Sequence, residues 1–102
     1  METTVLAHRE EIDQICRHFH VSRLELFGSA LRADFSVEES DLDFLVEFAA
    51  DSAGQYADNY FGLKEALEGL LQRPVDLVSA TAIRNPYFRE AIEREKALLY
   101  AA

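Results

Sequence analysis

Two stretches limit what this chain can become. Leu24-Glu25-Leu26-Phe27 is an apolar-rich run that stops at Gly28-Ser29. After a polar excursion comes Ser40-Asp41-Leu42-Asp43-Phe44-Leu45-Val46, an apolar run with two aspartates at its start. In a strand, side chains alternate between faces, so residues i and i+2 point the same way. Asp41 and Asp43 are therefore expected side by side on one face, with Leu42, Phe44 and Val46 on the other. Two like charges that close resist ionising unless something positive lies between them. A divalent cation answers that need, and oxygen-only ligands favour Mg²⁺ or Mn²⁺ over zinc.

The rest of the chain supplies elements to hold these stretches. Thr3 and Thr4 are placed to cap a helix running to about Phe19 or His20, with Val5, Ile12, Ile15, Cys16 and Phe19 at helical spacing. Val21 to Phe27 reads as a strand, with Leu24 and Leu26 on one face and Arg23 and Glu25 on the other. Ala30 to Ala33 is expected to form one helical turn capped by Ser29, and Asp34 to Ser40 a loop. Asp41 to Phe48 is the second strand, and 50–54 a connection. About Tyr56 to Leu71 is a helix whose buried stripe is Tyr60, Leu63, Leu67, Leu70 and Leu71; Gly62 and Gly69 weaken it. Pro74 ends that element. Val75-Asp76-Leu77-Val78 is a short third strand. Asn85-Pro86 opens a last helix, asparagine at the cap and proline in the first turn, with Phe88, Ala91, Ile92, Glu95, Leu98 and Leu99 at helical spacing. The fold class expected is α/β, or more loosely α+β: a small sheet covered by helices in one domain over 1–102.

Composition narrows the function classes. With 102 residues there is room for one core, and 49% hydrophobic content is enough to fill it. The net charge is −9, from 19 acidic and 10 basic residues, which argues against gripping a nucleic-acid backbone and suits a basic protein partner. A nucleotide ligand stays compatible, because a metal neutralises its phosphates. The single cysteine, Cys16, falls on the apolar stripe of the first helix and reads as a buried structural thiol. No stretch resembles a signal peptide or is long enough to cross a membrane, so a cytoplasmic location is expected.

Asp76 is the third carboxylate that matters. Should its strand pair beside Asp41 to Phe48, three acids converge on one sheet face. That is a ligand set for two metal ions clamping the attacking and leaving oxygens of a nucleotidyl transfer. Asp41 and Asp43 then hold the metal on the triphosphate. Asp76 completes the second metal site and helps deprotonate the attacking hydroxyl. Gly28 lets backbone approach a phosphate, Ser29 adds a hydrogen bond, and Arg32 offsets charge on the departing pyrophosphate. The bland readings are solvated acids at a strand entry, a plain turn at Gly28-Ser29 and a surface ion pair at Arg32. Asp34, Glu38, Glu39 and Glu47 read as solvated charge; Glu47 lies roughly 13 Å beyond Asp43 by strand rise, too far to share a metal. His8, His18 and His20 are not spaced for zinc. Tyr56, Tyr60, Tyr87 and Tyr100 read as packing or interface groups.

Gly28-Ser29, a spacer, Asp41-Leu42-Asp43 and a later Asp76 resemble the DNA polymerase β nucleotidyltransferase superfamily, with its palm-like fold. The small size, the run Phe27-Gly28-Ser29-Ala30-Leu31-Arg32 and the tail from Asn85-Pro86-Tyr87 resemble its minimal nucleotidyltransferases, the MNT antitoxin group. The resemblance spans nearly the whole chain. The spacer Ala30 to Ser40 is eleven residues, one more than is usual in the family. The resemblance implies a type VII antitoxin that pairs with a HEPN-domain ribonuclease toxin. It implies AMP transfer from Mg²⁺-ATP to a toxin tyrosine, with Gly28 and Ser29 on the triphosphate and Asp41, Asp43 and Asp76 on metal. Two other readings are a binding module that neutralises the toxin by contact, and a nucleotidyltransferase for small molecules, which usually carries a second domain. Acting alone the chain has half a cleft, which the toxin or a second copy would complete.

Overall fold

The computed structural model describes residues 3–28 and 41–102. The chain opens with two helices, α1 (Thr3–Ala7) and α2 (Arg9–His18), followed by strand β1 (Val21–Phe27). Strand β2 (Leu42–Phe48) leads through a 3₁₀ segment, Ala50–Gln55, into α3 (Tyr56–Leu71). Strand β3 (Val75–Ser79), a 3₁₀ turn (Ala80–Ala82), helix α4 (Pro86–Arg94) and strand β4 (Lys96–Ala101) complete it. The sheet order is β3-β2-β1-β4. β1 runs antiparallel to both β2 and β4, whereas β2 and β3 are parallel. The expected small mixed sheet with helices is thus present. Among the described residues no helix is long and apolar enough to cross a membrane.

Each strand sends alternate residues to a different helix layer. Leu24 and Leu26 of β1, Leu42, Phe44 and Val46 of β2, and Val75 and Leu77 of β3 join one core with Ile12, Cys16, Leu63, Leu67 and Leu71 from α2 and α3. Cys16 is fully buried there and its thiol is pushed up to about 12, by burial first and then by Asp13. It is the inert structural thiol its position in the pattern suggested. The opposite face carries a smaller cluster of Phe27, Leu45 and Ile92, with Val78, Ala80 and Ile83 against it. Helix α4 covers that second face. β1 and β2 are therefore central strands with apolar contacts on both sides.

Four sequence expectations change. The first helix is broken at His8, whose backbone (φ −109°, ψ 20°) leaves the helical region. Its ring Nδ1 lies 2.9 Å from the Thr4 carbonyl oxygen. Thr3 and Thr4 lie inside α1 rather than ahead of it. The segment read as a connection after β2 is a 3₁₀ turn running to Gln55.

The largest change is at the C-terminus. Asn85 does cap α4, accepting hydrogen bonds from the Tyr87 and Phe88 amides. The helix then stops at Arg94, and Lys96–Ala101 becomes a strand paired with β1. Over six residues, Lys-Ala-Leu-Leu-Tyr-Ala satisfies a helical and a strand period about equally. The open edge of β1 decides between them, because a strand buried on both faces must pair its outer amides and carbonyls. Leu99 consequently turns into the core at 5% exposure while Leu98, expected on the buried stripe, is 43% exposed.

The two glycines of α3 are not equivalent. A Cβ on Gly69 would meet nothing within 4 Å, whereas one on Gly62 would lie 2.4 Å from the ring of Phe19. Gly69→Ala should stabilise the protein by about 1 kcal/mol, the ordinary helix-propensity gain. Gly62→Ala should lose stability despite that gain, because a ring packed on the core must move. Urea unfolding of both variants checks the opposite signs.

Candidate active site

The site is assembled on the α4-side face of the sheet, at the end where β1 finishes and β2 and β3 begin. Gly28 follows β1 with φ +78°. Only glycine adopts that conformation without strain. A Cβ at that position would lie 2.5 Å from Asp43 Oδ2, so the carboxylate rests directly against the glycine backbone. Any side chain would therefore both strain the turn and push Asp43 aside.

Asp43 is the second residue of β2. It stands opposite Phe27 on β1 and beside Asp76 on β3. In parallel strands in register, neighbouring residues present their side chains to the same face about 4.8 Å apart. The pairing of Asp41–Phe48 with Val75–Val78 that the three-acid reading required is thus present. Asp41 lies just ahead of β2 rather than within it, and is exposed. Asp76 is exposed and Asp43 half-buried. Burial raises the Asp43 carboxyl above its usual range, and Asp76 and then Asp41 raise it further. Both of the other acids therefore act electrostatically on Asp43.

Oxygen-only donors whose mutual repulsion is concentrated on a half-buried member suit a hard divalent cation, which would reverse that repulsion. The fit lies in donor chemistry. Among the described residues no three acidic, histidine or cysteine side chains are gathered closely enough to hold an ion as they stand. Ser29 and Arg32, together with the expected turn 30–33 and loop 34–40, lie outside the described residues.

Other residues of this face were not singled out by sequence. Glu25, on the same face of β1 as Phe27, is only 4% exposed. Its two carboxylate oxygens take Arg23 Nε at 3.2 Å and Lys96 Nζ at 3.0 Å. Lys96 also reaches Glu93 at 3.0 Å. The hydrogen bond that Lys96 donates to Glu25 is the main reason its ammonium is held above its ordinary range. This buried pairing ties β4 and the end of α4 to β1. At its other end α4 sets Phe88 edge-on to Phe27, with centroids 6.4 Å apart, one residue from Gly28. Alternation placed Glu25 on that face; its burial depended on α4 and β4 covering it. On the opposite flank, Tyr60 donates to the Leu77 carbonyl and Glu68 accepts from the Val75 amide at 3.0 Å. Side chains of α3 thereby occupy the outer edge of β3.

The folded Asp43 carboxyl holds its proton to higher pH than the unfolded chain does. The folded state thus binds more protons in that window, and stability falls as pH rises from the ordinary Asp range through the raised value. Asp43→Asn should remove that loss and raise Tm by roughly 2–5 °C at neutral pH in chelator. Added Mg²⁺ should raise the wild-type Tm and leave the variant unmoved. Thermal melts with and without Mg²⁺ read both effects.

Known proteins resemble this chain along nearly its full length. The pattern of the nucleotidyltransferase domain family matches residues 9–99. A Methanocaldococcus jannaschii protein named as a candidate protein adenylyltransferase is 38% identical over 77 residues, which span 76% of this chain and 75% of its own. A solved structure described as a candidate minimal nucleotidyltransferase superposes with a TM-score of 0.77 at 38% identity, covering 95% of each chain. A chain from a complex of a tri-AMPylated Shewanella oneidensis HEPN toxin with an MNT antitoxin superposes at 0.63 with 20% identity. It covers 95% of this chain and 72% of its own, and shares the fold.

Proposed function

Because this chain belongs to the nucleotidyltransferase domain family, we propose that it is a protein adenylyltransferase, moving AMP from ATP to a tyrosine of a HEPN-domain ribonuclease toxin and silencing it as its antitoxin. The observation that carries this reading is the in-register placement of Asp43 beside Asp76, with Gly28 against the Asp43 carboxylate. Nothing in the packing of a small sheet calls for two neighbouring acids and a positive-φ glycine at one point. The named activity of the Methanocaldococcus jannaschii relative and the partner named in the Shewanella oneidensis complex support the substrate and the pairing.

Each residue takes the role that the family motif assigns to it. Gly28 offers backbone to the triphosphate, Ser29 adds a hydroxyl, and Arg32 offsets charge on the leaving pyrophosphate. Asp41 and Asp43 would hold one divalent cation on the triphosphate, and Asp76 would complete the ligands of a second. Bound there, Mg²⁺ supplies charge stabilisation to the attacking and leaving oxygens. Asp76 would also accept the proton of the attacking phenol. One bond forms between the acceptor oxygen and the α-phosphorus, and the bond from that phosphorus to the pyrophosphate oxygen breaks. The acidic surface that follows from a net charge of −9 suits a basic partner.

The double variant Asp41→Ala/Asp43→Ala should remain folded and lose AMP transfer by about a thousandfold or more. Incubation of the toxin with α-labelled ATP, followed by counting label on the toxin, measures it. Full transfer by the double variant would refute the role of the acids. Toxin inhibited by the wild type without acquiring label would make the protein a contact antitoxin instead.

A further inference from the structure

A groove runs along the outer side of β3 and belongs to none of the roles above. One compartment, about 470 Å³, is lined by Tyr56, Ala57, Tyr60 and Phe61 of α3 and by Leu77 to Ser79 of β3. A second, about 310 Å³, adjoins it, shares Tyr56 and Ser79, and has Glu47 in its wall. The first is almost wholly apolar. Its rim leaves two large rings in water: Phe61 is 66% exposed and Tyr56 42%. Tyr56 and Tyr60 stack with centroids 6.1 Å apart, and Phe61 meets Tyr60 edge-on. Exposed rings gathered at one groove are the usual signature of a docking surface.

Position relates the groove to the site. Gly28 directly follows β1, and Asp43 and Asp76 lie on the next two strands of the sheet, β2 and β3. An in-line displacement puts the attacking oxygen opposite the leaving group. With the phosphates at Gly28, the pyrophosphate departs on the β1 side and the acceptor enters from the β3 side. The groove starts there. Leu77, Val78 and Ser79 directly follow Asp76, and Asp76 is near enough to Tyr60 to help raise its phenol, after burial and Tyr56.

We propose that this groove holds the acceptor polypeptide: an extended segment that plants an apolar or aromatic side chain against Tyr56, Tyr60 and Phe61, turns a basic residue toward Glu47, and so delivers its hydroxyl to Asp76. The inference rests on the adenylyl-transfer reading and names where its acceptor binds. Two adjoining compartments, the first beside β3 and the second past the ends of β2 and β3, suit a length of chain better than one compact ring system. The glutamate in the second compartment, on a chain of net charge −9, sets the preferred sign of the segment.

Phe61→Ala removes an exposed ring, and Ala57→Trp fills the first compartment from an exposed helix position. Both should fold with wild-type circular dichroism. The affinity for the HEPN-domain acceptor without nucleotide, the acceptor KM in the labelling assay, and the affinity for Mg²⁺-ATP are measured on each. Acceptor affinity should weaken and acceptor KM rise by about tenfold or more, with ATP affinity unchanged. Glu47→Lys should weaken acceptor binding most at low salt. Unchanged acceptor binding and KM would overturn the proposal. ATP affinity lost in step would also overturn it, assigning the compartment to the nucleobase. A wild type that binds the acceptor through Phe61 but transfers no label would sink the transferase reading and leave the docking surface standing. A wild type that neither binds nor labels would remove both.

Discussion

Main-chain hydrogen bonds of a parallel ladder hold Asp43 beside Asp76 against their own repulsion. The rest of the fold exists around that pairing. The two strands are kept in register by residues on the other face: Leu42, Phe44, Val75 and Leu77 are all at most 4% exposed, and a slip of one residue would turn them out of the core. The apolar layer under α2 and α3 therefore fixes the position of the charged layer. A slipped register would relieve the acids at the expense of several fully buried side chains, each worth about 1.5–3 kcal/mol of burial. Packing outweighs repulsion, and the strained arrangement persists.

The same contest appears at Gly28. Its positive φ and the contact with Asp43 tie the end of β1 to the start of β2, so the turn and the carboxylate position each other. Asp43 is thereby half-buried and ringed by like charge, the condition in which a carboxylate gains most from a divalent cation. A site held in that state by its surroundings needs little rearrangement when charge is brought to it.

The β4 flank of the sheet is held differently. Glu25 is buried because β4 brings Lys96 to it and α4 lies over it. An acid left there without its cations would be costly, so the ion pair and the last strand depend on each other. Through α4 this arrangement also sets Phe88 on Phe27, beside the glycine turn. The two flanks of the sheet end unlike: β4 closes the edge of β1, whereas β3 turns its outer edge to α3 and to the groove of tyrosines and Phe61.

Much of this was legible from local pattern. The helices α2 and α3, the strands β1 to β3, the asparagine cap of α4 and the buried Cys16 all follow from periodicity and end signals, which depend on a residue and its near neighbours. The spacing of Asp41 and Asp43, and the glycine that ends β1, also belong to the sequence itself. What it left open is set by contacts between residues far apart in the chain. The parallel pairing of β2 with β3 brings Asp76 to Asp43, the unfilled edge of β1 turns Lys96–Ala101 from helix into strand, and the closing of α4 and β4 buries Glu25. A six-residue tail carries no period strong enough to choose its own conformation, and a carboxylate becomes buried, paired or repelled only through what the folded chain sets beside it.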